Sequence, residues 1–275
     1  MTKRILHISD LHFGRGEKPE SVEALAQLIC DVEPVLVIAS GDLTHRGTRA
    51  QHDRASQFLR TLELPLLTIP GNHDIPYTFP KRFLSPWREF ERHWETTEPV
   101  FRDEGIVAVG LNSVRPWRHQ SGRIKPQQIA HARETLRDAP QGAFRIVVLH
   151  HHLLGAPWRS RKKPVAERNT VLAGLVEAGA DLILAGHIHQ STVAERREFE
   201  ISTPGGERAV VVSIAPGFGQ PRPSRRGEAR GLHVYEVGEQ TLRIATYIWR
   251  GDGWGLTAVR RFPRGREPLA FDAAS

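Results

Sequence analysis

Ile5-Leu6-His7-Ile8-Ser9-Asp10-Leu11-His12 is a short apolar run that ends in an aspartate and a histidine. The same construction recurs four times: Val35-Leu36-Val37-Ile38-Ala39-Ser40-Gly41-Asp42, Leu66-Leu67-Thr68-Ile69-Pro70-Gly71-Asn72-His73-Asp74, Ile146-Val147-Val148-Leu149-His150, and Leu182-Ile183-Leu184-Ala185-Gly186-His187-Ile188-His189. Leucine-rich and β-branched runs between amphipathic stretches read as buried parallel strands. In open α/β sheets, ligand sites form beyond the carboxyl ends of such strands. All five polar endings are therefore expected at one rim. Strand side chains alternate faces, so residues two apart point the same way if extended geometry persists. That would let Asp10 and His12 converge, and likewise His187 and His189. Gly41, Gly71 and Gly186 precede ligand-type residues where tight turns and close backbone approach are needed, and Pro70 marks the end of the third strand.

Carboxylate, imidazole and amide oxygen donors suit Mn, Fe, Zn or Co, and the single cysteine, Cys30, cannot build a thiolate site. The ordered set Asp10-x-His12, Gly41-Asp42, Gly71-Asn72-His73-Asp74, His150 and Gly186-His187-x-His189 resembles the pattern of the calcineurin-like metallophosphoesterases. Within them it is most similar to the class III cyclic nucleotide phosphodiesterases of the CpdA type. Each fragment alone is a weak signal, but five in order are specific, and they cover residues 10 to 189.

The resemblance implies an α/β fold, a four-layer αββα sandwich of two mixed sheets flanked by helices. It also implies two divalent or trivalent metal ions. Asp10, His12 and His189 would hold the first, Asp42 would bridge both, and Asn72, His150 and His187 would hold the second. His73 would stay off the metals and face the substrate phosphate. The chain departs from the family in one motif, reading His150-His151-His152-Leu153-Leu154 where relatives often have His-His-Pro-Pro. The first histidine after the strand, His150, is the expected ligand, with His151 as the alternative.

Two metals about 3.5–4 Å apart activate a shared water and clamp phosphoryl oxygens during in-line displacement. A bridging carboxylate such as Asp42 fixes that separation. His73, beside Asn72, is placed to orient the phosphate or to protonate the leaving alkoxide. Asp74 is expected to brace an imidazole, and Arg46, just beyond Asp42, is within reach of an anionic substrate or is simply a surface loop residue. Most of the other histidines, His7, His45, His52, His93, His119, His131 and His233 among them, read as surface or satisfied structural residues.

At 275 residues, with 39% hydrophobic and 25% charged side chains, the chain has the composition of one globular enzyme domain and not of a disordered or membrane protein. We expect a single domain over residues 1–262, with an aromatic and proline-rich insertion at about 75–99 and a loose tail over 263–275. No stretch approaches the ~20 apolar residues of a membrane span, and the N-terminus runs straight into the first strand. A cytoplasmic location without a membrane partner is the expectation. The net charge of +7 favours anionic partners. Two basic clusters, Trp158-Arg159-Ser160-Arg161-Lys162-Lys163 and Arg222-Pro223-Ser224-Arg225-Arg226-Gly227, follow strand-like runs, so either could overhang the rim and attract phosphate, the alternative being a solvated basic surface.

Helices are expected after Ser21, a candidate N-cap, with Val22, Leu25, Leu28 and Ile29 on one face, and over 51–62, 127–137 and 169–178. The insertion interleaves Pro76, Pro80, Pro86 and Pro99 with Tyr77, Phe79, Phe83, Trp87, Phe90 and Trp94. It reads as a satellite core or as a cap beside His73. Strands return over 101–111, and 209–214, 231–237 and 241–249 are expected to complete a second sheet.

The expected function is metal-dependent hydrolysis of a small-molecule phosphoester, with a cyclic nucleotide as first candidate. A nuclease of the DNA-repair type and a non-catalytic interaction module are the alternatives.

Overall fold

Along β1 (Lys3–Ile8) the side chains divide between two cores. Ile5 joins the layer between the sheets, while Leu6 and Ile8 face the opposite way, toward helices. This division repeats through a computed structural model that describes residues 2–15, 19–158, 160–196, 210–219 and 227–264. Arg159, residues 222–226 and residues 265–275, which include parts of both basic clusters and nearly all of the expected tail, lie outside the described residues.

After β1 come α1 (Pro19–Val32), β2 (Leu36–Ala39), α2 (Arg49–Arg60), β3 (Leu66–Thr68), and the one-turn helices α3 (Lys81–Leu84) and α4 (Arg88–Glu91). The chain continues through β4 (Val100–Arg102), β5 (Ile106–Leu111), α5 (Pro126–Arg137), β6 (Phe144–Leu149), α6 (Arg168–Glu177) and β7 (Leu182–Ala185). It ends with β8 (Thr192–Arg196), β9 (Val210–Ile214), β10 (Gly231–Val237), β11 (Thr241–Trp249) and β12 (Trp254–Pro263). One sheet has the order β12-β11-β10-β1-β2-β3 and the other β4-β5-β6-β7-β9-β8. Both are mixed. β1, β2 and β3 run parallel with β10 to β12 antiparallel beside them, and the parallel set β5, β6, β7 and β9 carries antiparallel edges β4 and β8.

Three apolar layers hold this αββα sandwich together. Leu25, Leu28, Ala55, Phe58 and Leu59 of α1 and α2 pack on the outer face of the first sheet. Ile38, Leu67, Ile146 and Leu184 meet between the sheets. Ala132, Leu136, Leu172 and Leu175 of α5 and α6 cover the second sheet. Each buried Leu, Ile or Phe stabilises by about 1.5–3 kcal/mol. α5 starts cleanly because Pro126 needs no N–H partner and the Gln128 side chain accepts the Lys125 N–H (2.7 Å).

Three expectations change. Ser21 lies inside α1 and not at its cap, and its hydroxyl accepts a hydrogen bond from Arg230 (2.7 Å). The three C-terminal strands do not share a sheet: β9 joins the second, while β10 and β11 extend the first from β1. β8 and β12 were not anticipated, because edge strands such as the largely exposed β12 carry no apolar run. The insertion divides as well. Phe90 is buried in the same layer as Phe58 and Leu59 and contacts Trp94, so this part joins the main core and is no satellite, while Tyr77, Phe79 and Leu84 are exposed. No helix among the described residues is long and apolar enough to cross a membrane.

Candidate metal centre

Where the strands end, the backbone turns left-handed. Asp10 (φ 54°), His12 (φ 53°), Asp42 (φ 52°), His187 (φ 73°) and His189 (φ 59°) all have positive φ, a region that side-chain-bearing residues occupy only when their surroundings compel it. The expected mechanism of convergence, strand alternation, is therefore replaced by left-handed turns just past the strand ends. Neighbouring loops lock these turns: Asp10 N–H donates to Gly41 O, His12 N–H to Asp42 O, and Gly186 N–H to His150 O.

Asp74 does not brace an imidazole. Its carboxylate accepts the N–H groups of Leu43 (3.1 Å), Thr44 (2.8 Å) and Gly71 (2.8 Å), together with the Thr44 hydroxyl (2.9 Å), so it clamps the Asp42 loop to the Asn72 loop. His52 reaches only the Asp74 carbonyl (3.0 Å).

Asp10, His12, Asp42 and His189 form one buried group, each offering an atom within 4.8 Å of the others. His189 Nε2 lies 2.8 Å from Asp10 Oδ1 and 3.1 Å from His12 Nε2, and His12 Nε2 is 3.8 Å from Asp42 Oδ2. The other Asp10 oxygen is held by the Ser9 hydroxyl (2.7 Å) and the His187 N–H (2.9 Å). Asp42, His150 and His187 form a second buried group. His150 Nε2 faces Asp42 Oδ1 (3.3 Å) and Asn72 Oδ1 (3.2 Å), which brings Asn72 to the same point. Asp42 is thus common to both groups.

The hydrogen bonds behind the rings fix their lone pairs. His150 Nδ1–H donates to Ser40 O (2.8 Å), which points the Nε2 lone pair at two oxygens that can themselves only accept. His187 Nε2–H donates to Gln120 O (3.2 Å), leaving Nδ1 as its lone pair. His151 points elsewhere: its Nδ1 meets the Ser113 hydroxyl (2.9 Å), and its ring packs against that of His187.

Burial acts to raise both aspartates, but the His189 and Lys162 charges beside Asp10, and those of His150 and His73 beside Asp42, hold both carboxyls well below their usual range. Burial keeps His12 and His187 neutral by pushing them well below the ordinary imidazole value. For His150, burial is outweighed by Asp42, which pushes it up to about 9, so a metal ion and a proton compete for its Nε2. The donor set fits a cation on its own terms. Carboxylate, amide and imidazole acceptors converge, and Asp42 Oδ2 and His187 Nδ1 are buried with no hydrogen-bond partner among the described residues.

His73 lies at the edge of this cluster. Its backbone N–H donates to Asp42 Oδ1 (2.8 Å), and its ring Nδ1–H donates to His45 O (2.8 Å), leaving Nε2 as the lone-pair nitrogen. Its ring also meets His12 (4.9 Å between centroids), and His12, His45 and His73 form a third group of close donor atoms. Arg46 is exposed on the residue after His45, its N–H bonded to the Gln51 side chain (2.8 Å).

Tyr77 belongs to the insertion read as a satellite core or a cap beside His73, whereas the roles of His45, His119 and Lys162 escaped the sequence reading. Tyr77 places its hydroxyl 2.8 Å from His73 Nδ1 and 3.1 Å from His119 Nε2, so His45 and His119, set aside as structural, both flank His73. Lys162, counted only within a basic cluster, is turned inward. Its ammonium donates to His187 O and to His189 Nε2 (3.0 Å) and lies 3.9 Å from Asp10 Oδ1. A cation of the chain's own thus stands among the first group of donor side chains. No local sequence signal distinguishes such a lysine from a solvated one. Lys162 also lines a cavity of about 440 Å³ together with His152, Trp158, Ser160 and Arg168.

Residues 3–191 match the calcineurin-like phosphoesterase family. Among curated proteins, the chain is 25% identical over 219 residues to a 3′,5′-cyclic adenosine monophosphate phosphodiesterase CpdA of Haemophilus influenzae, covering 73% of this chain and 75% of that one. It is 26% identical over 217 residues to a glycerophosphodiester phosphodiesterase GpdQ of Enterobacter lignolyticus, covering 72% and 75%. Among solved structures, a dimetal phosphatase from Danio rerio shares the fold with a TM-score of 0.61 at 14% identity, over 95% of this chain and 98% of that one. With the family match spanning more than half the sequence and ending at the loop that carries His187 and His189, the chain belongs to the calcineurin-like phosphoesterase family and is a metal-dependent phosphoesterase.

Proposed function

We propose that the chain hydrolyses a small-molecule phosphodiester, with a cyclic nucleotide as first candidate, at a centre of two metal ions. The observation that carries this reading is the position of Asp42, whose two oxygens face different ligand groups, Oδ2 toward His12 and Oδ1 toward His150. In this proposal Asp10, His12 and His189 hold one ion, Asn72, His150 and His187 hold the other, and Asp42 is shared. Mn, Fe, Zn and Co all suit these donors. When bound, the pair supplies Lewis acidity to the phosphoryl oxygens and acidifies the attacking water.

The chain's own residues do the rest. His73, with Nδ1–H fixed on His45 O, leaves Nε2 for the substrate; once that nitrogen has taken up a proton from solvent, it donates to a phosphoryl oxygen or to the leaving alkoxide. Asn72 and the exposed Arg46 supply further contacts to the anionic substrate. His150 takes the ligand role over His151 in this reading because its lone pair is the one aimed at Asn72 and Asp42. One domain over residues 1–262 carries the whole site.

A curated relative named as a cyclic AMP phosphodiesterase and another named as a glycerophosphodiester phosphodiesterase support the diesterase reading. The test is a screen of the metal-loaded protein against bis-aryl phosphate, aryl monophosphate, cyclic AMP, a glycerophosphodiester and single-stranded DNA, with bound metal counted by elemental analysis. Two metals per chain and diester cleavage that Asp42→Ala abolishes are expected. One metal per chain, or monoester cleavage alone, sinks the proposal. DNA cleavage that exceeds cleavage of the small diesters makes the protein a nuclease.

A further inference from the structure

Three large apolar side chains stand almost wholly in solvent beside the His73 edge: Phe79 is 81% exposed, Leu84 79% and Trp117 74%. They come from two segments, 76–88 and 115–123, that are fastened into one tip. Phe83 stacks on Trp117 with ring centroids 4.3 Å apart and planes at 13°, and Phe79 approaches Phe83 at 6.4 Å. Arg82 is buried and bolts the segments together, donating from Nε to Pro116 O (2.8 Å) and from Nη1 to Pro76 O (3.1 Å). The tip is therefore a built feature of the fold. It reaches the metal centre through Tyr77, whose hydroxyl is 2.8 Å from His73 Nδ1.

Its charge is one-sided. The two segments carry Lys81, Arg82, Arg88, Arg115, Arg118 and Arg123 and contain no aspartate or glutamate. Exposed apolar side chains grouped in this way and rimmed by polar ones mark an interaction site. A single-stranded nucleic acid would need open ring faces along a groove. Here one face of Phe83 is taken by Trp117, Leu84 has no ring, and the most exposed residues project outward. Phenylalanine, leucine and tryptophan ringed by lysine and arginine instead suit the headgroup layer of an anionic bilayer, where apolar groups enter the acyl boundary and cations meet the lipid charge.

We propose that this tip docks the protein on an anionic lipid surface, with the His73 edge of the site turned toward the headgroups. The expectation of no membrane partner rested on the lack of a spanning segment, and peripheral contact needs none. The docking does not depend on the phosphodiesterase reading, since it is carried by residues outside the ligand set.

The test is co-sedimentation of the full chain with vesicles of phosphatidylcholine alone and of phosphatidylcholine mixed with phosphatidylglycerol, at low and high salt. We expect binding to the mixed vesicles that weakens with salt and falls about tenfold for each apolar side chain removed in Phe79→Ser, Leu84→Ser and Trp117→Ser. A Lys81→Glu/Arg118→Glu variant should also lose binding. All of these variants should keep the parent melting temperature and bis-aryl phosphate hydrolysis. Parent protein that stays in solution with mixed vesicles, equal binding to neutral vesicles, or a triple variant that binds like the parent overturns the proposal. So does a parent dimer that the triple variant dissolves without any vesicle binding, which would assign the tip to a second copy. Single-stranded DNA binding lost in the triple variant, again without vesicle binding, would assign it to nucleic acid.

Discussion

Replacing Gly71 by alanine tests how the ligand loops are held. Gly71 does not need a left-handed backbone, so its requirement is for space. A Cβ at this position falls 2.1 Å from Asp42 N and 2.3 Å from Asp42 Oδ1, where ordinary contact begins at 3.4 Å. The loops must therefore part by about 1 Å, yet both are tied to the Asp74 carboxylate through the N–H groups of Gly71, Leu43 and Thr44. A displacement of about 1 Å at a reacting centre costs about 10²-fold in rate, which corresponds to about 2.7 kcal/mol. Overpacking should also reduce stability by about 1–3 kcal/mol. Gly253→Ala is the control, because nothing lies within 4 Å of its Cβ. The assay combines bound metal by elemental analysis, bis-aryl phosphate turnover and chemical denaturation. Gly71→Ala protein with parental turnover and full metal occupancy would refute the account of Asp42 as a carboxylate held in place by that glycine.

His73→Ala should lower kcat by about 10²–10⁴-fold while bound metal stays at the parent level; metal loss in that variant would make His73 a ligand. Lys162→Met removes an ammonium that stands among Asp10, His187 and His189, so titration calorimetry should show first-site metal binding tightened by about tenfold or more. Weaker binding in Lys162→Met would instead show that the lysine supports the ion. Buried His233 is pushed down to about 3 by burial, against an ordinary value of 6.5. The unfolded chain therefore takes up the proton first, so this contribution is fully present above pH 6.5 and is lost as pH falls toward 3, at about 1.4 kcal/mol per pH unit. Urea denaturation of the metal-free protein at about pH 6.3 and about pH 5.0, both below the range in which the raised His150 changes its contribution, should register that loss, and equal stabilities at the two values would contradict it.

Much of the fold was legible because a parallel strand buried on both faces must be apolar throughout. Runs such as Ile146-Val147-Val148-Leu149 therefore announce themselves, and the polar residue that follows is conspicuous. The edge strands β8 and β12 lack that requirement and were missed. The ligand-type residues were legible as types, but their convergence was attributed to strand alternation, whereas left-handed turns at Asp10, His12, Asp42, His187 and His189 produce it. Backbone of that kind is imposed by contacts between loops distant in sequence, so a local pattern does not contain it. The same holds for His119 and Lys162, whose contacts at the site span 42 and 27 residues and carry no motif.

The seven ligand-type side chains are drawn from both halves of the sandwich. Asp10, His12, Asp42 and Asn72 follow strands of one sheet, while His150, His187 and His189 follow strands of the other. Under the proposed assignment, an ion gripped by Asp42 and His150 together would be a rivet through the seam, and its affinity would include the free energy of pressing the two sheets face to face. Loading the centre and closing the seam are then one equilibrium read from two ends. Stripping the ions should loosen the interior around Ile38 and Leu184 before it disturbs either helical flank.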